Sequence, residues 1–256
     1  KLENYNSSKF AMSINKVSND SYLNVFDQHI TRSTLRPSDF NKLTNSINIK
    51  LDHNNFNFET GMQSYENLRI KNQSDRYQYV LPYYNFDKYI TKNYFNGNIS
   101  FNSNGNNVLD NTNKLETNFT NNLSYNSLDI ISNLGLKNNF GVNIKNLNSV
   151  GKKSSKYKSS LQSELVSMYN LNVSFPLKKN SQKSQNYLTP KLSLRFNPHD
   201  MKNYSSSARN IDAHNVFAIN RLGLSDTLES GKSLTLGLNY SNERKNDLNE
   251  INNYFE

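Results

Sequence analysis

Four histidines, His29, His53, His199 and His214, and a large complement of serine are the residues that hydrolytic or metal-assisted chemistry would draw on. A serine becomes a nucleophile only when a base lies within hydrogen-bond reach and a third group orients that base. No recognisable nucleophile motif surrounds any of the four, no two fall at metal-ligand spacing, and there is no cysteine to complete a zinc site or a disulfide. Gly105 and Gly151 stand in turn-like stretches with no phosphate-loop pattern around them. Each histidine is therefore expected in a loop or a wall, and the chain is expected to be no enzyme and to hold neither metal nor cofactor.

The charged residues say more through their phase. Lys191 and Arg195 sit in Lys191-Leu192-Ser193-Leu194-Arg195-Phe196-Asn197, where every second side chain is apolar. The same rhythm returns in Ser233-Leu234-Thr235-Leu236-Gly237-Leu238-Asn239-Tyr240. Successive side chains of a strand point to opposite faces, so each segment reads as a strand with one apolar and one polar face. Leu192, Leu194, Phe196, Leu234, Leu236 and Leu238 take the apolar phase. Lys50, Glu59, Lys137, Glu164, Lys191 and Arg195 take the polar phase of their strands, where opposite charges can also pair across neighbouring strands.

Composition indicates which solvent the apolar face meets. A water-soluble sheet protein is about half apolar, whereas this chain is 34% hydrophobic, too little to fill a core between two sheets. In a transmembrane β-barrel, lipid covers the apolar face and the polar face lines a lumen. The six apolar residues are thus expected to face lipid, and the six charged ones the lumen. No stretch approaches the ~18 to 20 apolar residues of a helical span. Disorder would suit the abundant Asn, Ser and Lys, but 16 Tyr and 14 Phe fall in phase with Leu and Ile. The net charge of +9 comes from scattered lysines without a binding motif or basic helix, so no nucleic-acid partner is expected. No Met opens the chain and no leader-like segment follows it, so residues 1–256 are expected to be one internal segment of a barrel domain.

About a dozen segments show the alternation. They include Phe10-Met12-Ile14, Ile47-Ile49-Leu51, Phe56-Phe58-Met62, Tyr77-Tyr79-Leu81-Tyr83 and Ile99-Phe101. The pattern continues through Leu115-Phe119-Leu123-Tyr125, Leu134 to Ile144 and Leu161 to Phe175. Asp52–Asn55, Asn102–Asn107 and Ser181–Gln185 read as turns. Longer spacers at Asn146–Lys156 and Pro198–Asp212 flank a shorter one at Leu177–Asn186, which assigns the two long ones to one side, the cell exterior. Tyr83, Tyr84, Phe86, Tyr94 and Phe95 lie near strand ends, as interfacial aromatic girdles do, and as good strand formers also do. The expected fold is all-β: a curved, open sheet of about a dozen antiparallel strands, a fragment of a transmembrane β-barrel.

Four segments resemble, in order, the barrel of the LPS-assembly outer-membrane proteins, the LptD (OstA) family. Val17-Ser18-Asn19-Asp20-Ser21-Tyr22-Leu23-Asn24-Val25-Phe26-Asp27 is similar to that family's V-S-D-D-T-Y-L-x-D-Y-D stretch. Arg76-Tyr77-Gln78-Tyr79-Val80-Leu81-Pro82 resembles a strand with a P-x-L/Y step, and Leu188-Thr189-Pro190-Lys191-Leu192-Ser193-Leu194-Arg195-Phe196 an L-x-P strand before a long external loop. Asn220-Arg221-Leu222-Gly223-Leu224-Ser225-Asp226-Thr227-Leu228-Glu229-Ser230-Gly231 resembles D-R-I/L-G-x-x-D-x-x-x-x-G. The family's periplasmic jelly roll, its first and last barrel strands and its disulfide cysteines are not expected within residues 1–256; either they lie outside this segment or this branch does without them.

The resemblance implies the central part of a large barrel in the outer membrane of a Gram-negative cell, which inserts lipopolysaccharide into the outer leaflet. It also implies three kinds of partner: lipopolysaccharide with outer-membrane lipid, a lipoprotein plug resembling LptE, and periplasmic bridge proteins. On that reading the basic residues of the polar face meet lipid phosphates, Arg by paired hydrogen bonds. Periodicity alone fits a porin-like or receptor-type channel for small solutes equally; an outer-membrane phospholipase with Ser and His on its rim is a weaker alternative, since no histidine stands beside a nucleophile motif.

Overall fold

The computed structural model describes residues 2, 4–26, 39–71, 73–90, 96–181, 184–202, 204, 208–245 and 251–255. His29, Tyr94 and Phe95 lie outside them. The strands are β1 (Ser7–Ser13), β2 (Lys42–His53), β3 (Phe56–Asn67), β4 (Tyr77–Ile90), β5 (Gly97–Asp110), β6 (Lys114–Ser127), β7 (Ile130–Ile131), β8 (Lys137–Lys152), β9 (Gln162–Ser174), β10 (Leu177–Asn180), β11 (Ser184–Asn197), β12 (Gly231–Lys245) and β13 (Ile251–Phe255). The only described helices, α1 (Tyr22–Val25) and α2 (Gln73–Arg76), are single turns, and neither is long and apolar enough to cross a membrane.

All thirteen strands belong to one sheet, in the order β1-β2-β3-β4-β5-β6-β8-β9-β11-β12-β13, with β7 paired to β8 and β10 to β11. The expected all-β, antiparallel architecture is therefore present, with β1 and β13 as the two ends of the order. By contacts the chain forms two compact units: residues 1–89, 101–122 and 146–164, and residues 90–100, 123–145 and 165–256.

In the first unit, β2 and β3 form a hairpin with a two-residue turn, in register from Lys42↔Asn67 to His53↔Phe56. Leu23 of α1, Leu43 and Leu68 are buried together, with Val17 and Phe40 packed against them. The β3–β4 register breaks: Gly61 pairs with Tyr83 but Gln63 with Val80, so Leu81 and Pro82 oppose Met62 alone. Proline has no N–H to donate to the ladder and is confined to sheet edges or bulges. Tyr77 and Tyr79 consequently face away from Tyr83, which corrects the single phase expected for Tyr77, Tyr79, Leu81 and Tyr83.

Three expected spacers are wholly or largely strand. β5 runs straight through Asn102–Asn107, β8 continues from Asn146 to Lys152, and Leu177–Asn186 holds β10 and the start of β11. Asn is a poor strand former, but here its amides bond across the strands. Asn102 donates to Asp87 Oδ1 (2.5 Å), Asn118 to Asn106 Oδ1 (2.9 Å), and Thr117 Oγ1 to Asn107 Oδ1 (2.6 Å). Gly105 is needed for proximity rather than for a turn, since a Cβ there would lie 2.6 Å from Tyr84 Cε1.

In the second unit, β9, β11 and β12 carry opposite environments on their two faces. Leu194, Phe196, Leu234, Leu236 and Leu238 are exposed, whereas Val166, Met168, Asn170, Ser193, Arg195, Asn197 and Thr235 are buried. Met201, Leu224 and Leu228, from the connection 198–230, are buried as well. Among its described residues that connection contains no strand, and it is far longer than the Pro198–Asp212 spacer the sequence suggested.

Candidate functional site

The outward face of β9, β11 and β12 is built in rungs. Leu194 lies opposite Leu171 on one side and Leu234 on the other; Phe196 lies opposite Tyr169 and Lys232; Leu192 lies opposite Val173 and Leu236. Pro190 with Leu238 and Leu188 with Tyr240 complete the series. The band from Leu188 to Phe196 covers nine residues of β11, and a tilted membrane strand needs ~9 to 11. Aromatic residues mark both its ends: Tyr169 and Phe196 stack at 6.4 Å between ring centroids, and Tyr240 donates a hydrogen bond to Asn186 Oδ1 (2.9 Å) at the other.

The opposite face of the same strands is not wet where the sequence expected it to be. Ser193 is 1% exposed and Arg195 6%; Ser193 bonds to Asn172 Oδ1 of β9, and Arg195 is covered from segment 198–230. Arg195 Nη2 donates to Val216 O (2.7 Å), Lys145 Nζ to Ser225 O (2.7 Å), and Asn197 Nδ2 to Glu229 O (3.0 Å). Arg195 Nη1 is buried without a hydrogen-bond partner among the described residues. Gly237 makes room for this covering: a Cβ there would come within 2.6 Å of Phe217 Cζ. Arg221 closes the segment with a two-point ion pair to Glu229, whose Oε2 accepts from Arg221 Nε (2.7 Å) and whose Oε1 lies against Nη2. Hydrogen bonding to Glu229 raises the Arg221 pKa further.

The other charged candidates separate into two groups. Lys50 and Glu59 pair across β2–β3 at 2.9 Å, and line a pocket of about 390 Å³ with Asp52, Asn85, Asp87 and Asn102. Lys137 pairs with Asp129 at 2.7 Å; both share a pocket of about 220 Å³ with Lys191 and Phe217, and Lys191 Nζ lies 5.9 Å from the Phe217 ring centroid. Glu164 alternates with exposed Leu165, and its backbone oxygen accepts from Asn146 Nδ2 (3.1 Å). Of the histidines, His53 stacks on Phe56, while His199 and His214 donate their backbone N–H groups to Asn197 and Asp212 side chains. Among the described residues no cluster of His, Asp and Glu is arranged to hold a metal ion.

A second ionic cluster was not singled out from the sequence. Arg76 donates from Nη1 to Asp20 Oδ2 (2.9 Å), from Nη2 to Asp20 Oδ1 (2.6 Å) and from Nε to Glu66 Oε1 (2.7 Å), fixing segment 17–26 to the ends of β3 and β4. The hydrogen bonds from Arg76 hold the Asp20 carboxyl below its ordinary pKa of 3.8, and the bond to Asp20 raises the arginine in turn. A depressed carboxyl stabilises the docked form above its unfolded pKa and loses that contribution as the pH falls through the folded value. A spin label at exposed Val25 is therefore expected to be immobile at neutral pH and to gain mobility below about pH 4. Asp20→Asn should make it mobile throughout; a label that stays immobile in that variant would show that the pair does not hold the segment.

These contacts join the four segments singled out in the sequence in two separate pairs. The first meets the second through Asp20 and Arg76, and the third meets the fourth where Arg195 and Asn197 lie beneath the segment that Arg221 and Glu229 close. No curated protein matches the chain. The family model described as LptD, LPS transport system D, matches residues 4–252. An antiparallel sheet in rungs of membrane-strand length, with a match over almost its whole extent, places this chain in the LptD family of outer-membrane lipopolysaccharide transport and assembly proteins.

Proposed function

We propose that the chain is part of the wall of the outer-membrane translocon that inserts lipopolysaccharide into the outer leaflet, with its apolar rungs against lipid and its polar face toward the lumen. The observation that carries this reading is the register of β9, β11 and β12, which lays an apolar band nine residues long on one face of a chain from a lipopolysaccharide transport family. No bond is made or broken in such a task. Polar side chains solvate sugars and phosphates while acyl chains keep to apolar surface. Lys50, Lys137 and Lys191 are the basic residues offered to the headgroup, whereas Arg195 is engaged by Val216. A lipoprotein plug and periplasmic bridge proteins complete the machine.

The spacing of the described strands supports an orientation. In their antiparallel order, the stretches between them numbered 14–41, 68–76, 111–113, 153–161 and 198–230 alternate with 54–55, 91–96, 128–136, 175–183 and 246–250. The first set contains the two longest, and outer-membrane barrels place long loops outside and short turns in the periplasm. Segment 198–230 then belongs to the external end.

Depleting the full-length protein in growing cells is expected to lower newly made lipopolysaccharide at the surface while small-solute uptake persists. Unchanged surface lipopolysaccharide with lost solute uptake would move the chain to the channel class.

A further inference from the structure

We infer that the outward face of β9, β11 and β12 carries a seat for one phosphorylated, acylated glycolipid, the lipid A end of a lipopolysaccharide molecule, with its phosphate on Lys232 and an acyl chain along Leu171, Leu194 and Leu234. The inference rests on the orientation and the cargo given under Proposed function.

Two adjacent rungs make the seat. The outer one reads Tyr169, Phe196, Lys232 and the next reads Leu171, Leu194, Leu234. With the intervening Asn170, Arg195 and Ser233, whose strand positions alternate to the other face, they line a groove of about 670 Å³ whose accessible surface is mostly apolar. All five apolar residues of these rungs are well exposed, from Leu171 at 38% to Leu234 at 60%, so the groove is open to whatever surrounds the wall.

Lys232 is the one cation in this otherwise apolar row. A charge on the lipid face of a barrel costs ~2 to 4 kcal/mol at the midplane but ~0 to 1 near the interface, and Lys232 stands in the last rung of the band. Its ammonium lies 5.4 Å from the centroid of the Phe196 ring, which holds the charge over the aromatic edge of the groove. An ammonium there meets a phosphate at headgroup level. One rung deeper, three leucines from three strands meet chains and nothing polar. A neutral lipid would leave the cation unused, and a soluble anion would leave the leucine rung unused. A lipid that carries phosphate and acyl chains on one sugar headgroup uses both, and the external end of the strands puts it in the leaflet where the proposed cargo arrives.

The test uses full-length protein in detergent and native mass spectrometry, titrated with three probes: bisphosphorylated lipid A, the same lipid A without phosphates, and phosphatidylglycerol. The wild type is expected to retain one equivalent of bisphosphorylated lipid A preferentially. Loss of a charge-assisted contact weakens binding by about tenfold or more, so Lys232→Glu is expected to lose that equivalent and Lys232→Arg to keep it. Leu194→Trp, which fills the groove and leaves the charge in place, is expected to lose it too. Heat-modifiable migration on gels confirms that each variant is folded. Wild-type retention by folded Lys232→Glu, or equal retention of phosphatidylglycerol or of dephosphorylated lipid A, would overturn the inference. Such a failure leaves the depletion result standing, because surface delivery in cells does not read this groove.

Discussion

Leu236→Arg is expected to be the most damaging single change on the outward face. Leu236 stands in the third rung, midway between the aromatic ends of the band, and is 71% exposed. In water an exposed leucine tolerates arginine, usually within about 0.5 kcal/mol. In lipid the same change at the midplane costs ~2 to 4 kcal/mol and fades toward the interface. The expected order of cost is Leu236→Arg, then Leu234→Arg one rung nearer the edge, measured by urea titration of the full-length protein folded into vesicles. Equal costs at the two positions, or none at either, would mean that this face does not meet the membrane. The opposite face gives no permissive control at Ser193. Its hydroxyl donates to Asn172 Oδ1 (2.7 Å) and the residue is fully buried, so arginine there lacks both room and solvent. Leu194→Arg and Ser193→Arg are both expected to fold poorly, for different reasons.

That contrast marks what was legible in the sequence. Alternation of Leu192, Leu194 and Phe196 with Ser193 and Arg195 specifies strand and face, because a period of two has one structural meaning. Alternation does not say what covers the polar face. Segment 198–230 has no periodicity, and its contacts to Arg195 and Lys145 are carried by the backbone oxygens of Val216 and Ser225, which leave no trace in residue type. The asparagines of β5 misled for a related reason. Asn102 to Asn107 have turn chemistry when read locally, and only the cross-strand partners Asp87, Thr117 and Asn118 make them strand residues. Pro82 did carry a local signal, a missing donor within a strand pattern, and the change of face between Tyr79 and Tyr83 follows from it. The Asp20–Arg76 pair had a weaker one. Each residue lies in a segment resembling the family, but nothing in either segment names the other.

Breaking the Arg221–Glu229 clasp on one side should loosen segment 198–230 more than removing it whole. The two side chains are 13% and 25% exposed, between the buried pairs whose disruption costs ~3 to 5 kcal/mol and the exposed ones worth ~0.2 to 1. Arg221→Leu or Glu229→Leu alone is therefore expected to cost about 1 to 3 kcal/mol of local stability, since each strands a half-buried charge. The double change leaves no stranded charge and should cost clearly less than the sum, a coupling that a double-mutant cycle reads directly. Hydrogen exchange is a suitable measure, because the N–H of Gly223 bonds to Asn220 O and that of Arg209 to Leu222 O inside the segment. Additive losses would mean that the pair is only a surface contact and that the backbone bonds to Arg195 and Lys145 hold the segment. Sub-additive losses would identify the clasp as the element whose opening uncovers Arg195. Because Asn197 bonds to the backbone oxygen of Glu229 itself, an opened clasp is also expected to weaken the anchor at the end of β11.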